Sequence, residues 1–195
     1  MPIHISLRNT KLGNIPNINL PPGITCVPDA PCQKLCYAKK AYNSYARATC
    51  RPAWDENLAI FQASQADYFK QIEEWIGKKK TLSYFRWHAS GDIVNAAYLF
   101  GMIRVAQLHP TVHFMAFTRR SDLILEYPGD IPKNLKLVRS VWLDEDLTMV
   151  EGMPFFKVAA KDKVLEWPQK CPGKCDECVA CWHLGATEGR WIHIH

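Results

Sequence analysis

The residues best equipped for chemistry in this sequence are eight cysteines, and they fall into two groups. Cys26, Cys32, Cys36 and Cys50 lie in the first fifty residues; Cys171, Cys175, Cys178 and Cys181 lie near the end, with none from 51 to 170. A secreted disulfide scaffold is shorter and spreads its cysteines along the chain, whereas clustered thiols in a reducing compartment more often bind metal. The C-terminal group reads C-x3-C-x2-C-x2-C, four thiolates that can close a tetrahedral site unaided. Its Cys175/Cys178/Cys181 run has the spacing of ferredoxin-like 4Fe–4S ligation. A zinc site usually separates its two knuckles by a longer loop so that both face one ion. The spacing therefore predicts iron–sulfur, with zinc as the alternative.

The N-terminal group reads C-x5-C-x3-C and supplies three ligands. Either Cys50 completes a structural site, or the fourth position is open to a substrate or cofactor, as in catalytic metal sites. Cys50 also reads as a buried core thiol, the commoner fate of a lone cysteine.

Elements that would position these groups follow from periodicity. The pattern predicts strands over 3–7, 24–25, 81–87, 111–117, 135–142, 155–159 and 191–194. Helices are expected over 54–63, 68–76 (Asp67 as N-cap), 93–108 and 121–127, with a helical turn over 144–151. Residues 33–48 have helical composition but weak periodicity. Alternating strands and helices imply parallel βαβ units. A complete (β/α)8 barrel needs about 250 residues, so 195 suit a partial, open (β/α) barrel with mostly parallel strands. The expected division is a barrel with its three-cysteine loop over 1–160 and a cysteine-rich C-terminal extension over 161–195. Ligands of such folds collect at the carboxyl ends of the strands. There the sequence places Cys26, the run His88-Ala89-Ser90-Gly91-Asp92, Thr118-Arg119, and Ser140 to Asp144-Glu145.

Composition narrows the class. At 48% apolar and 22% charged residues the chain can build a core and is not a disordered tail. A net charge of +5 suits an anionic ligand or nucleic acid without requiring either. The first eight residues carry no apolar signal-peptide core, and the most apolar stretch, 96–103, is far short of a membrane span. A cytoplasmic protein is expected.

Five segments carry a resemblance. They are Asn9-Thr10-Lys11-Leu12-Gly13, Cys26…Cys32…Cys36-Tyr37-Ala38, His88-Ala89-Ser90-Gly91-Asp92, Phe117-Thr118-Arg119, and Cys171-Pro172…Cys178-Val-Ala-Cys181-Trp182. Together, in this order, the sequence resembles the phage gene product 88 family, which implies a phage-encoded protein of the host cytosol. More distantly its layout is similar to radical S-adenosylmethionine enzymes, in which three cysteines after the first strand, usually C-x3-C-x2-C, hold a 4Fe–4S cluster. That resemblance implies S-adenosylmethionine on the open iron of Cys26/Cys32/Cys36. Ser90-Gly91-Asp92 would stand where a Gly-Gly-Glu-like motif meets the methionine amine, and Tyr37 would lie near the adenine. Thr118, Arg119 and Ser140 would meet the sulfonium, carboxylate or ribose. The cysteine spacing departs from the usual one, and Asp92 reaches less far than a glutamate.

Each sharp reading has a plainer rival. His88 is an acid–base group or a hydrogen-bonded core histidine. Arg119 and Arg120 clamp an anion or pair internally. Asp144 and Glu145 are a catalytic pair or a helix N-terminal charge pair. His193 and His195 join a metal site or form an exposed tail. Trp182 is expected to shield the C-terminal cluster from water. Function divides likewise: a radical S-adenosylmethionine-type enzyme with an unknown substrate and an electron donor, or a non-catalytic zinc- or iron–sulfur-stabilised binding module. The module would bind nucleic acid, although no basic stripe with interleaved aromatics supports that.

Overall fold

Strand side chains alternate between two faces, and here both faces are buried under different things. The computed structural model describes residues 1–143, 145, 152–166 and 169–193. Among these, eight strands form one open mixed sheet. They are β1 (Ile5–Ser6), β2 (Asn17–Ile18), β3 (Tyr84–Trp87), β4 (His113–Thr118), β5 (Leu135–Trp142), β6 (Phe155–Ala159), β7 (Gln169–Lys170) and β8 (Gly189–His193). Their order is β1-β2-β3-β4-β5-β6-β8-β7; β1 and β2 pair antiparallel and every other pair is parallel.

On one face, Phe85, Trp87, Phe114, Ala116, Leu135, Leu137 and Val141 pack beneath helices α2 (Arg47–Ala63), α3 (Gln65–Gly77) and α4 (Ala96–Leu108). Helix α3 is capped by Ser64 rather than Asp67. The Ser64 hydroxyl accepts the Asp67 N–H at 3.1 Å, which places Asp67 in the first turn where a carboxylate favours the helix dipole. Asn95 caps α4 by accepting the Tyr98 N–H, so that helix begins at 96 and not 93. Helix α2 begins seven residues before its expected start, with Pro52 inside it at the cost of one backbone hydrogen bond.

The opposite face carries Met115, Val138 and Phe156. It is covered by residues of the 9–15 loop and by the segment joining β7 to β8, including Trp182 and Leu184. Trp182 is 1% exposed, and its indole N–H donates to the Phe85 carbonyl at 3.1 Å. Residues 169–193 thus belong to the same sheet and the same core as the rest of the chain.

One expected strand is absent. Residues 24–25 form a turn, because Pro21 and Pro22 cannot donate to a ladder and both the Thr25 N–H and hydroxyl return to the Pro21 carbonyl. The first parallel strand is instead β2, hidden by its two-residue length and by the asparagine that opens it. The expected helical turn over 144–151 lies outside the described residues except for Glu145. So do Ile194 of the last strand and His195; the rest of that strand forms within β8.

Candidate functional site: two cysteine groups and the rim between them

Beyond β2 the chain turns through Asn19 and Leu20 into the three-cysteine loop. That loop ends in a 3-10 turn (Pro31–Leu35) and helix α1 (Tyr37–Asn43). The loop's root is tied to the end of β3 through Ser90-Gly91-Asp92. The Ser90 hydroxyl donates to the Leu20 carbonyl, the Leu20 N–H to the Ser90 carbonyl, and the Ser90 N–H to the Asn19 side-chain oxygen. Thr25 Oγ1 accepts the Asp92 N–H at 3.4 Å. Gly91 has φ +83°, and a Cβ there would lie 2.7 Å from Thr25 Oγ1 and 2.8 Å from Leu20 Cβ. The motif therefore shapes the cysteine loop directly.

Asp92 is 5% exposed and its carboxylate is well occupied. It accepts the Thr118 hydroxyl at 2.6 Å, the Ile93 N–H at 2.7 Å and the Arg119 N–H at 2.9 Å. Burial raises its pKa, opposed by these donors and by Arg120. Thr118 also accepts the Arg120 N–H. The Arg119 guanidinium forms a two-point pair with Glu145 and donates to the Ser140 carbonyl at 3.1 Å. Arg120 pairs with Asp122 and donates to the Ile93 and Val94 carbonyls. Both arginines thus have internal carboxylate partners, and Glu145 partners Arg119. Asp144 lies outside the described residues.

All eight cysteines are free thiols of intermediate exposure. The sulfurs of Cys26, Cys32 and Cys36 act electrostatically on one another, and Asp92 acts on Cys26 and Cys32. Arg119 acts on Cys32 as well. Burial pushes the Cys26 thiol up to about 11, against the Gly23 N–H, which donates to its sulfur at 3.3 Å. Tyr37, next to Cys36, donates its hydroxyl to the Ala89 carbonyl and so closes the loop over the end of β3. Cys50 packs with Cys36, Ala46 and Ala53 against Ala38, Ala41, Tyr42 and Trp54, in the small cluster between α1 and α2.

The C-terminal group occupies a short helix (Cys175–Cys178) and its flanks, with Val179 in the left-handed region at φ 43° turning the chain towards Cys181. Asn9–Gly13 forms its platform: the Cys175 N–H donates to the Lys11 carbonyl, and the Asp176 carboxylate accepts the Asn14 N–H. Burial pushes the Cys181 thiol up to about 12, with Cys171, Cys175 and Cys178 acting on it and Arg86 opposing.

His88 points the other way. Its φ is +54°, it is 3% exposed, and its Nε2 hydrogen-bonds the Tyr98 hydroxyl at 3.0 Å inside the aromatic core. Burial, helped by Arg86, lowers its pKa to about 3, so the ring is neutral. His193 shares its Nε2 with the Lys163 carbonyl.

Among the described residues, no three His, Cys, Asp or Glu side chains gather closely enough to hold a single metal ion. A tetrahedral zinc–thiolate site with 2.3 Å bonds brings its sulfurs to about 3.8 Å from one another. A 4Fe–4S cluster binds each thiolate to a different iron and so accepts wider spacing. Free thiols are the donor type such a cluster takes, and the Gly23 N–H directed at the Cys26 sulfur is a hydrogen bond of the kind that tunes a ligating thiolate. Sequence reasoning missed Asn19, Lys11 and Arg86 as parts of these surroundings, because their contacts cross long stretches of chain.

The class defined by this architecture is an open, mostly parallel α/β sheet, helices on one face and a cysteine-bearing segment on the other, with two groups of free thiols. Residues 5–160 match the family model for gene product 88, and the chain belongs to that family. The match spans the three-cysteine loop and its rim and stops short of Cys171. No curated protein and no solved structure matches the chain. None of the described helices is long and apolar enough to cross a membrane.

Proposed function

We propose that this phage-family chain is an iron–sulfur protein of the small radical S-adenosylmethionine type, working in the host cytosol. A 4Fe–4S cluster on Cys26, Cys32 and Cys36 would leave one iron for S-adenosylmethionine, and a second cluster would sit on Cys171, Cys175, Cys178 and Cys181. The observation that carries the reading is that Ser90-Gly91-Asp92, hydrogen-bonded to Thr118 and Arg119 at the carboxyl rim of the parallel strands, is tied directly to the root of the loop that bears Cys26, Cys32 and Cys36. The fold is read as a trimmed barrel: β2 to β6 run in sequence order, without the reversal of a doubly wound sheet, and helices α2 to α4 cover one face.

A 4Fe–4S cluster held by Cys26, Cys32 and Cys36, with S-adenosylmethionine and an electron donor, would supply one-electron, hydrogen-abstracting radical chemistry. The chain's own work is positional. Ser90, Gly91 and Asp92 fix the cysteine loop, and Asp92 with Thr118 and Arg119 locks neighbouring strand ends together. Tyr37 holds the loop over the rim, where the adenine is assigned. Asp92 keeps acceptor capacity beyond its three internal donors for the methionine ammonium. Ser140, which holds Arg119 through its backbone, is assigned to the ribose side.

Anaerobically reconstituted protein, reduced in the presence of S-adenosylmethionine, is expected to yield 5′-deoxyadenosine. Replacing Cys26, Cys32 and Cys36 by alanine is expected to abolish it while C-terminal iron remains. No deoxyadenosine from protein with both clusters intact overturns the enzymatic reading. The rival is a binding module in which both metal sites only hold the fold. It draws support from the internal pairing of Asp92, Thr118, Arg119 and Arg120, and would be marked by salt-sensitive nucleic-acid binding.

A further inference from the structure

Arg86 presents a charge problem. It is 5% exposed, on β3, on the sheet face covered by the C-terminal segment. Its Nε donates to the Trp87 carbonyl at 2.9 Å, one Nη to the His88 carbonyl at 3.3 Å, and its guanidinium stacks 4.1 Å from the Phe117 ring centre. None of these partners is an anion, and among the described residues no carboxylate pairs with it. Arg119 and Arg120, by contrast, each have one. A buried cation without a counter-charge is costly, and chains retain one where an anion belongs.

The candidate anions on that face are thiolates. Cys175 and Cys181 pack on the same cluster as Phe117, the ring on which Arg86 lies. Lys11, whose carbonyl holds Cys175, places its ammonium 5.2 Å from the Phe156 ring centre on the same face. Neutral thiols give Arg86 nothing to pair with. A 4Fe–4S group with four thiolates carries two negative charges when oxidised and three when reduced.

We propose that Arg86 is the internal counter-cation of an anionic iron–sulfur cluster held by Cys171, Cys175, Cys178 and Cys181, setting its reduction potential. The inference rests on the iron–sulfur reading of that group. A fixed positive charge favours the more negative, reduced state, so its loss lowers the potential. The same charge is a liability without the cluster, so its loss relieves the metal-free chain. These opposite signs separate a counter-ion from an ordinary structural arginine.

The test uses the full chain with Cys26, Cys32 and Cys36 replaced by alanine, so that only the C-terminal cluster reports. Iron and acid-labile sulfide content first establish loading; absence of both overturns the cluster assignment and the proposal with it. Redox titration followed by electron paramagnetic resonance then compares Arg86, Arg86→Lys and Arg86→Met. Arg86→Met is expected to shift the one-electron equilibrium towards the oxidised state by at least tenfold, 59 mV. Arg86→Lys is expected to restore most of it. In metal-free protein, Arg86→Met is expected to unfold at the same or higher urea concentration than the parent. A loaded Arg86→Met or Arg86→Gln variant with unchanged potential overturns the proposal even though the cluster reading stands.

Discussion

His88 shows how one backbone angle redirects a side chain. At φ +54° the chain leaves β3 with the imidazole turned into the aromatic core beside Tyr98 and Tyr68 rather than out to the rim. Its pKa, about 3 when folded, lies below the ordinary histidine value of 6.5. Between those pH values the unfolded chain binds a proton that the folded chain does not. The contribution is therefore complete above pH 6.5 and is lost as pH falls towards 3, at up to about 1.4 kcal/mol per pH unit. Urea unfolding of the parent from pH 7 to 4 is expected to show this slope. In His88→Gln, which keeps a polar group for Tyr98, this part of the slope is expected to vanish; an unchanged slope would show that His88 titrates normally.

At the scale of elements, the decisive unit is the junction of β2, the cysteine loop and the end of β3. A glycine is required at 91, where a Cβ would press on both Leu20 and Thr25 and where φ is positive. Gly91→Ala is expected to destabilise the fold by about 1–3 kcal/mol and to weaken iron retention at Cys26, Cys32 and Cys36 more than at the C-terminal group. Urea unfolding combined with iron analysis of the two cysteine-knockout backgrounds measures both. Equal loss at the two groups would show that Gly91 supports only global stability. The segment Ser90-Gly91-Asp92 was legible as a rim motif because it follows an apolar strand. Its action on the loop root was not, since Leu20 and Asn19 lie some seventy residues away in sequence.

For the whole molecule, the C-terminal segment closes a sheet face that helices leave bare. Trp182 is its main anchor, fully buried and hydrogen-bonded to Phe85. Trp182→Ala is expected to cost about 3–5 kcal/mol and to raise binding of a hydrophobic dye as Met115, Val138 and Phe156 lose their cover. A loss below about 1 kcal/mol in urea unfolding would mean the segment is loosely docked. Spacing next to Cys181 marked Trp182 as a shield, and the structure gives it a larger task within the core.

The alternation of apolar strands with amphipathic helices determined a mostly parallel α/β architecture by itself, because strand and helix periods are local properties of the chain. Strands 135–142 and 155–159 were legible to the residue. Cysteine spacing likewise defined two groups, since residues within a dozen positions of one another need no long-range information. Tertiary structure alone decided the remainder. It turned His88 inward, paired Arg119 with Glu145, set Asn9–Gly13 under Cys175, and buried Arg86 with no carboxylate paired to it among the described residues. Each of these depends on which distant segments share a sheet face, and on the electrostatic cost of burying charge there. Neither quantity is written in local sequence.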